Sequence, residues 1–281
     1  MSAAIDDIIT RALAEDAPWG DLTSETFLPA EATASASLVA REPGVLSGAE
    51  VFARVFALVD AETTVELLRH DGAAFAAGEA LARVAGPARA VLRAERIALN
   101  LVQRMSGIAT LTARYVAEVE GTSARIVDTR KTTPGLRILE RQAVRDGGGR
   151  NHRFSLSDAV MAKDNHLAVL AASGVPLGDA IRAARARLGH TVHLEVEVDR
   201  LDQVEEVVAA GVDTIMLDNF SPAELREGVA LVAGRALVEA SGGVNLDTVR
   251  AIAEAGVDVI SVGALTHSVR ALDLGLDVTV G

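Results

Sequence analysis

The sequence contains no cysteine. Disulfides, thiolate catalysis and cysteine-ligated zinc or iron–sulfur sites are therefore excluded. Aromatic residues make up only 3% of the chain and proline only 7 of 281 positions, so the interior must be built from Ala, Val, Leu and Ile. No apolar run is long enough to span a bilayer. The opening residues M-S-A-A-I-D-D lack the basic segment and apolar run of a signal peptide. A cytoplasmic protein without membrane contact is expected. Positive charge is also in deficit, with 27 basic against 39 acidic side chains and a formal net charge of −12. Nucleic acid calls for a broad basic surface, which this balance does not offer.

Hydrophobic residues reach 49% and glycine 24 positions, a profile that suits a repetitive α/β protein with many short turns. Residues 3–15 read as a helix with Ile5, Ile8, Ile9, Ala12 and Leu13 on one side. The loop E-D-A-P-W-G-D-L-T follows, and Trp19 and Asp21 are expected to anchor an N-terminal arm. Strand, helix, strand, strand over residues 34–42, 49–58, 65–69 and 80–84 make a small α+β domain. Two helices come next, 89–105 and 108–119, separated at Ser106-Gly107. Their arginines Arg93, Arg96 and Arg104 read singly as solvated.

From Ala124 the texture becomes a repeat of short apolar run, loop and helix. Strands are expected at 125–129, 159–163, 192–198, 214–217, 236–240 and 259–262. Helices are expected near 136–145, 177–188, 201–209, 222–231 and 246–255. A-A-G-V-D at 209–213 and E-A-G-V-D at 254–258 are one device, a helix closed by glycine and followed by a strand. Six such strands argue for a parallel barrel or an open sheet. The last residues, L-G-L-D-V-T-V-G, are placed to return a strand to the first domain.

One stretch, Asp128 to His166, gathers Arg130, Lys131, Arg137, Arg141, Arg145, Arg150, Arg153 and Lys163. A local cationic site in an acidic protein points to a small, multiply anionic ligand. Arg130, Lys131, Arg153 and Lys163 suit carboxylates or phosphates. Arg137, Arg141 and Arg145 have helical spacing and are expected on an exposed face. His152 either donates to an anion or is a satisfied loop histidine. Strand alternation puts His193, Glu195 and Glu197 on one face. The same phase groups Asp128 with Arg130, Met161 with Lys163, Met216 with Asp218, Glu239 with Ser241, and Ser261 with Gly263. The polar members lie at the C-terminal strand ends, where parallel α/β folds bind ligands. Glu197 and Asp218 end neighbouring strands and suit Mg²⁺, or else neutralise nearby cations. S-G-G-V at 241–244 and S-V-G-A-L at 261–265 allow backbone N–H groups to approach an anion.

Together these motifs resemble the quinolinate phosphoribosyltransferase family, also called carboxylating nicotinate-nucleotide pyrophosphorylases. The resemblance rests on E-R-I-A-L-N at 95–100, S-G-I-A-T at 106–110, D-T-R-K-T-T-P-G-L-R at 128–137, N-H-R at 151–153 and K-D-N-H at 163–166. It continues through E-V-E-V at 195–198, L-D-N-F at 217–220, S-G-G at 241–243 and S-V-G-A-L-T-H-S at 261–268. The resemblance implies an N-terminal α/β sandwich domain with a connecting helix over 1–110. An incomplete parallel α/β barrel of six to seven strands would occupy 111–269, and a C-terminal strand, 270–281, would return to the first domain. It implies a homodimer in which Arg96 reaches the neighbour's substrate. Substrate-binding positions then fall on Arg130, His152, Arg153 and Lys163, with Lys131 near 5-phosphoribosyl 1-pyrophosphate. Glu197 and Asp218 would lie near the ribose and Mg²⁺. Ser241, Gly242, Gly243, Ser261, Gly263 and Ala264 would surround the 5-phosphate. Lys131, Glu197 and Asp218 are the implied catalytic residues.

The implied reaction joins quinolinate to the phosphoribosyl group with loss of pyrophosphate and CO₂, giving nicotinate mononucleotide for NAD biosynthesis. Three alternatives share parts of the pattern. One is the related pyrophosphorylase-like branch of molybdenum-uptake loci. Another is a barrel aldolase using Lys131 or Lys163 as an amine nucleophile. The third is a non-catalytic anion sensor. The paired strand-end acids and two glycine sites fit the aldolase less well, and Glu197, Asp218 and the lysines argue against the sensor.

Overall fold

The computed structural model describes residues 2–279. Its strands are, in chain order, β1 (Thr33–Ala40), β2 (Gly44–Val45), β3 (Thr64–Leu67), β4 (Ala74–Phe75), β5 (Ala80–Pro87), β6 (Arg125–Val127), β7 (Val160–Ala162), β8 (Leu194–Val198), β9 (Thr214–Asp218), β10 (Leu237–Ser241), β11 (Val259–Ser261) and β12 (Leu274–Thr279). The chain divides into two compact units. The first comprises Met1–Ala113, Thr132–Gly148 and Thr266–Gly281, and the second Arg114–Lys131 and Gly149–Leu265. Residues 132–148, which the sequence reading places in the barrel, thus cluster with the first unit.

In the first unit an antiparallel sheet has the order β12-β1-β5-β3. Ala34, Ala36, Leu38 and Ala40 of β1 are buried in alternation, as a half-covered strand requires. The helix Ala49–Val59 buries Val51, Phe52, Val55 and Phe56 at helical spacing, and the rings of Phe52 and Phe56 meet edge-on at 5.0 Å. The N-terminal helix Ala3–Asp16 buries Ile5, Ile8 and Ile9. The anchored arm expected at Trp19 is not found: Trp19 is 91% exposed. Asp21 acts locally, accepting from the backbone N–H groups of Thr23 and Ser24 to cap a short helix, Leu22–Phe27, that the sequence reading treats as loop.

Ser106-Gly107 does not interrupt the long helix, which runs unbroken over Ala88–Glu118. Both residues serve close approach instead. The Ser106 hydroxyl accepts from Ser47 N–H and donates to the Ser47 carbonyl. A Cβ at Gly107 would lie 2.2 Å from the Arg270 carbonyl oxygen, so only glycine lets that chain pass. Arg104 is not a solvated arginine either. It donates from Nε and Nη2 to Oε1 of Glu140, whose side chain is 1% exposed, and it reaches the carbonyls of Thr266 and Val269. The other Glu140 oxygen accepts from Thr133 N–H at 3.0 Å. Arg137 and Arg141 are half-buried rather than exposed; Arg145 is exposed.

In the second unit all pairings within the six-stranded sheet are parallel, in the order β6-β11-β10-β9-β8-β7. A seventh place is taken by a single parallel bridge between Val127 and Arg150, which lays the N-H-R segment along β6. Among the described residues β6 and β7 are not paired, so the barrel is incomplete. The glycines of both A-G-V-D turns, Gly211 and Gly256, have φ of +87° and +94°, which a side chain would strain. Leu194, Val196 and Val198 are buried on one face of β8 and Glu195 on the other. Among the described residues no single helix is long and apolar enough to cross a membrane.

Arg104→Ala should lower the unfolding free energy by about 3–5 kcal/mol, because it leaves the Glu140 carboxylate buried without its partner. Chemical denaturation measures this. A loss below about 1 kcal/mol, the value of an exposed ion pair, would contradict it.

Candidate active site

The C-terminal ends of the second unit's strands surround a cavity of about 290 Å³. This is near the lower limit of small-molecule sites, about 300–1,000 Å³. Seven residues singled out in the sequence line it: Arg130, Lys131, His152, Arg153, Lys163, Ser241 and Ser261. Thr129, Met161, Met216 and Glu239 complete the lining. Met161, Met216 and Glu239 were legible through strand alternation, since they share a face with Lys163, Asp218 and Ser241.

The N-H-R loop is held from one buried carboxylate. Asp128, fully buried, accepts from His152 N–H through one oxygen and from the Asn151 side-chain amide through the other, each at 2.7 Å. His152 Nδ1 accepts from Arg153 N–H at 2.7 Å. Its Nε2 lies 3.2 Å from Glu195 and 3.4 Å from Glu239. Burial works against charge on this ring, while the hydrogen bonds and charges of the two glutamates push its pKa up. The Arg153 N–H at Nδ1 opposes a second proton, so the ring keeps one proton, on Nε2, toward the glutamates. Burial raises the pKa of Glu195, with Glu239 adding to it and His152 opposing.

Arg153 donates to the Ala159 carbonyl at 2.9 Å. Burial and the nearby Arg130 guanidinium both hold its pKa below the ordinary arginine value. Two guanidinium groups crowded in this way favour an anion between them. Lys163 forms an ion pair with Glu197. Glu197 lines a second cavity, of about 470 Å³, together with Asp218, Asp164, Asp199 and Arg200. Thus Arg130 and Lys163 face one cavity, Glu197 and Asp218 the other, and the Lys163–Glu197 pair links them. Asp218 also stands opposite Ser241 in the β9–β10 register.

Glu197, Asp218, Asp164 and Asp199 line this cavity with carboxylates, the ligand type a hard cation takes, but no three of them bring oxygens within 4.8 Å of one another. His152, Glu195 and Glu239 do bring three ligand atoms that close. There, however, the Nε2-to-oxygen distances are those of N–H···O contacts, so the ring proton fills the place a metal would take. The turn glycine Gly242 has a packing reason: φ is +85°, and a Cβ would sit 2.1 Å from the Asn219 side-chain oxygen. Gly243 is also left-handed, at φ +62°. Gly242, Gly243, Gly263 and Ala264 line neither cavity, and Arg96 lies exposed on the helix Ala88–Glu118 of the first unit.

Residues 108–277 match the model of the quinolinate phosphoribosyl transferase C-terminal domain, and residues 21–106 that of the N-terminal domain. This chain belongs to the quinolinate phosphoribosyltransferase family. It is 45% identical over 277 residues to the carboxylating nicotinate-nucleotide pyrophosphorylase of Mycobacterium leprae (strain TN), covering 96% of each chain. It is 42% identical over 290 residues to the chloroplastic enzyme of that name from Arabidopsis thaliana, covering 96% of this chain and 82% of that one. The crystal structure of NadC from Streptococcus pyogenes matches with a TM-score of 0.93 and 43% identity, covering 99% of this chain and 97% of that one.

Proposed function

We propose that the protein transfers the phosphoribosyl group of 5-phosphoribosyl 1-pyrophosphate to quinolinate, with release of pyrophosphate and CO₂. The observation that carries this reading is the cationic cavity of Arg130, Lys131, Arg153 and Lys163, joined through Glu197 to an acidic one. A pyridine diacid needs the first, and the positive charge that develops at the C1 of an activated sugar needs the second.

Arg130, Arg153 and Lys163, with His152, bind and orient the diacid. Lys131, at the exposed rim, faces the pyrophosphate and offsets its growing charge. Glu197 and Asp218 stabilise positive charge developing at the ribose C1. The pyridine nitrogen is the nucleophile, so no covalent enzyme intermediate is needed. With nitrogen quaternised, the 2-carboxylate leaves as CO₂, its electron pair remains on C2 beside the cationic nitrogen, and C2 then takes up a proton to give nicotinate mononucleotide. Ser241 and Ser261 line the cavity at the ends of β10 and β11, and with Gly242, Gly243, Gly263 and Ala264 they would surround the 5-phosphate. Glu197 and Asp218 would hold one Mg²⁺, which supplies positive charge for the pyrophosphate oxygens. The working form would be a cytoplasmic homodimer in which Arg96 of one subunit reaches the substrate of the other.

A strong ion pair at the departing carboxylate would oppose decarboxylation. The tightest cationic contacts therefore belong at the 3-carboxylate. Removing that group from quinolinate should cost more affinity than removing the 2-carboxylate; isothermal titration of both analogues decides, and equal losses would sink the assignment.

The activity itself is tested with purified protein, quinolinate, 5-phosphoribosyl 1-pyrophosphate and Mg²⁺. Pyrophosphate and CO₂ should appear one for one, with nicotinate a poor acceptor. Pyrophosphate release without CO₂ would point to another acceptor. Arg96→Ala and Lys163→Ala should each be inactive, yet their mixture should recover activity in hybrid dimers. No recovery after verified subunit exchange would refute the shared site.

A further inference from the structure

Two acids stand out because the mechanism above does not use them. Glu195 on β8 and Glu239 on β10 are each 3% exposed, and in both the Oε1 atom is buried without a hydrogen-bond partner among the described residues. Their Oε2 atoms converge on one point, Nε2 of His152, at 3.2 and 3.4 Å. Packing does not call for acids here. On β9, the strand between them, Thr214 and Met216 occupy the paired positions with uncharged side chains, also buried. Buried carboxylate oxygens without partners are costly and rare, so their presence asks for a reason.

The reason lies in what His152 touches. Its Nδ1 accepts from Arg153 N–H, and its own N–H is held by Asp128. The ring is thus a strut between the two carboxylates and the backbone of Arg153, whose guanidinium lines the cationic cavity. Without the glutamates the ring could turn about its side-chain bonds, and the Arg153 backbone would lose its partner.

We propose that Glu195 and Glu239 are positioning residues for the quinolinate half of the reaction: a carboxylate pair that fixes the direction of the His152 ring and, through it, the loop bearing Arg153. Neither acid bonds to substrate. Glu239, although it lines the cavity, would repel a diacid directly and acts through the imidazole. The inference rests on the placement of His152 in the quinolinate site proposed above.

The test is a double-mutant cycle on the full-length enzyme. Glu195→Gln and Glu239→Gln keep side-chain volume and remove the charge. Each should weaken quinolinate binding about ten-fold, equivalent to about 1.4 kcal/mol. Each should leave the affinity for 5-phosphoribosyl 1-pyrophosphate within about two-fold, because the acids act on one half of the site. In a His152→Asn background, Glu239→Gln should have no further effect on quinolinate. A merely structural role would weaken both substrates together and lower the melting temperature, which overturns the proposal. Additive effects with His152→Asn would overturn it too, leaving the site assignment intact. If His152→Asn alone left quinolinate affinity unchanged, the site assignment would fail and take the proposal with it. Should a glutamine variant fail to fold, the intact enzyme still decides: imidazole nitrogen shifts must report Nε2 protonated. A bare Nε2 would overturn the proposal.

Discussion

A charge on the inner face of a parallel sheet has no water to turn to, and that constraint orders the second unit. Each inward-facing ionic group must be matched by the chain itself. Asp128 is matched by a backbone N–H and a side-chain amide, Glu195 and Glu239 by one imidazole, and Glu197 by Lys163. The charged side chains that line the cavity are mostly cationic: Arg130, Lys131, Arg153 and Lys163. The acids that neutralise the interior are therefore also what aims the cations. Charge of one sign holds the scaffold, and charge of the other lines the cavity.

The first unit meets the same constraint by different means. Arg104 satisfies a buried glutamate and two carbonyls at once, and Gly107 and Ser106 let neighbouring chain segments approach the long helix without a gap. Both features depend on contacts between residues far apart in the chain. A helix that looks interrupted in the sequence is continuous because a tertiary contact demands glycine where helix propensity would not choose it.

Much of this was legible beforehand. All six barrel strands are where apolar runs between glycine-closed helices place them, with ends shifted by a residue or two. Period-two alternation correctly grouped Met161 with Lys163 and Glu239 with Ser241, because a strand's two faces are fixed by geometry alone. What the sequence could not carry was partnership. His152 looked like an open choice between ligand and loop histidine, and only the fold brings Glu195 and Glu239 to its ring. Arg104 looked solvated because Glu140, Thr266 and Val269 are distant in sequence. Trp19 looked like an anchor because it is large and apolar, yet Asp21 spends its carboxylate on a helix cap and leaves the ring exposed. The helix Asp164–Ala172 was missed because its apolar residues lack a buried stripe.

The central claim is that crowded cations at the barrel's strand ends exist to hold a pyridine diacid. A crystal structure of the protein with quinolinate alone addresses it directly. The account predicts the diacid between Arg130, Arg153 and Lys163, with its ring nitrogen turned toward the Glu197 and Asp218 cavity. Quinolinate bound elsewhere, or with its nitrogen turned away from those acids, would contradict it.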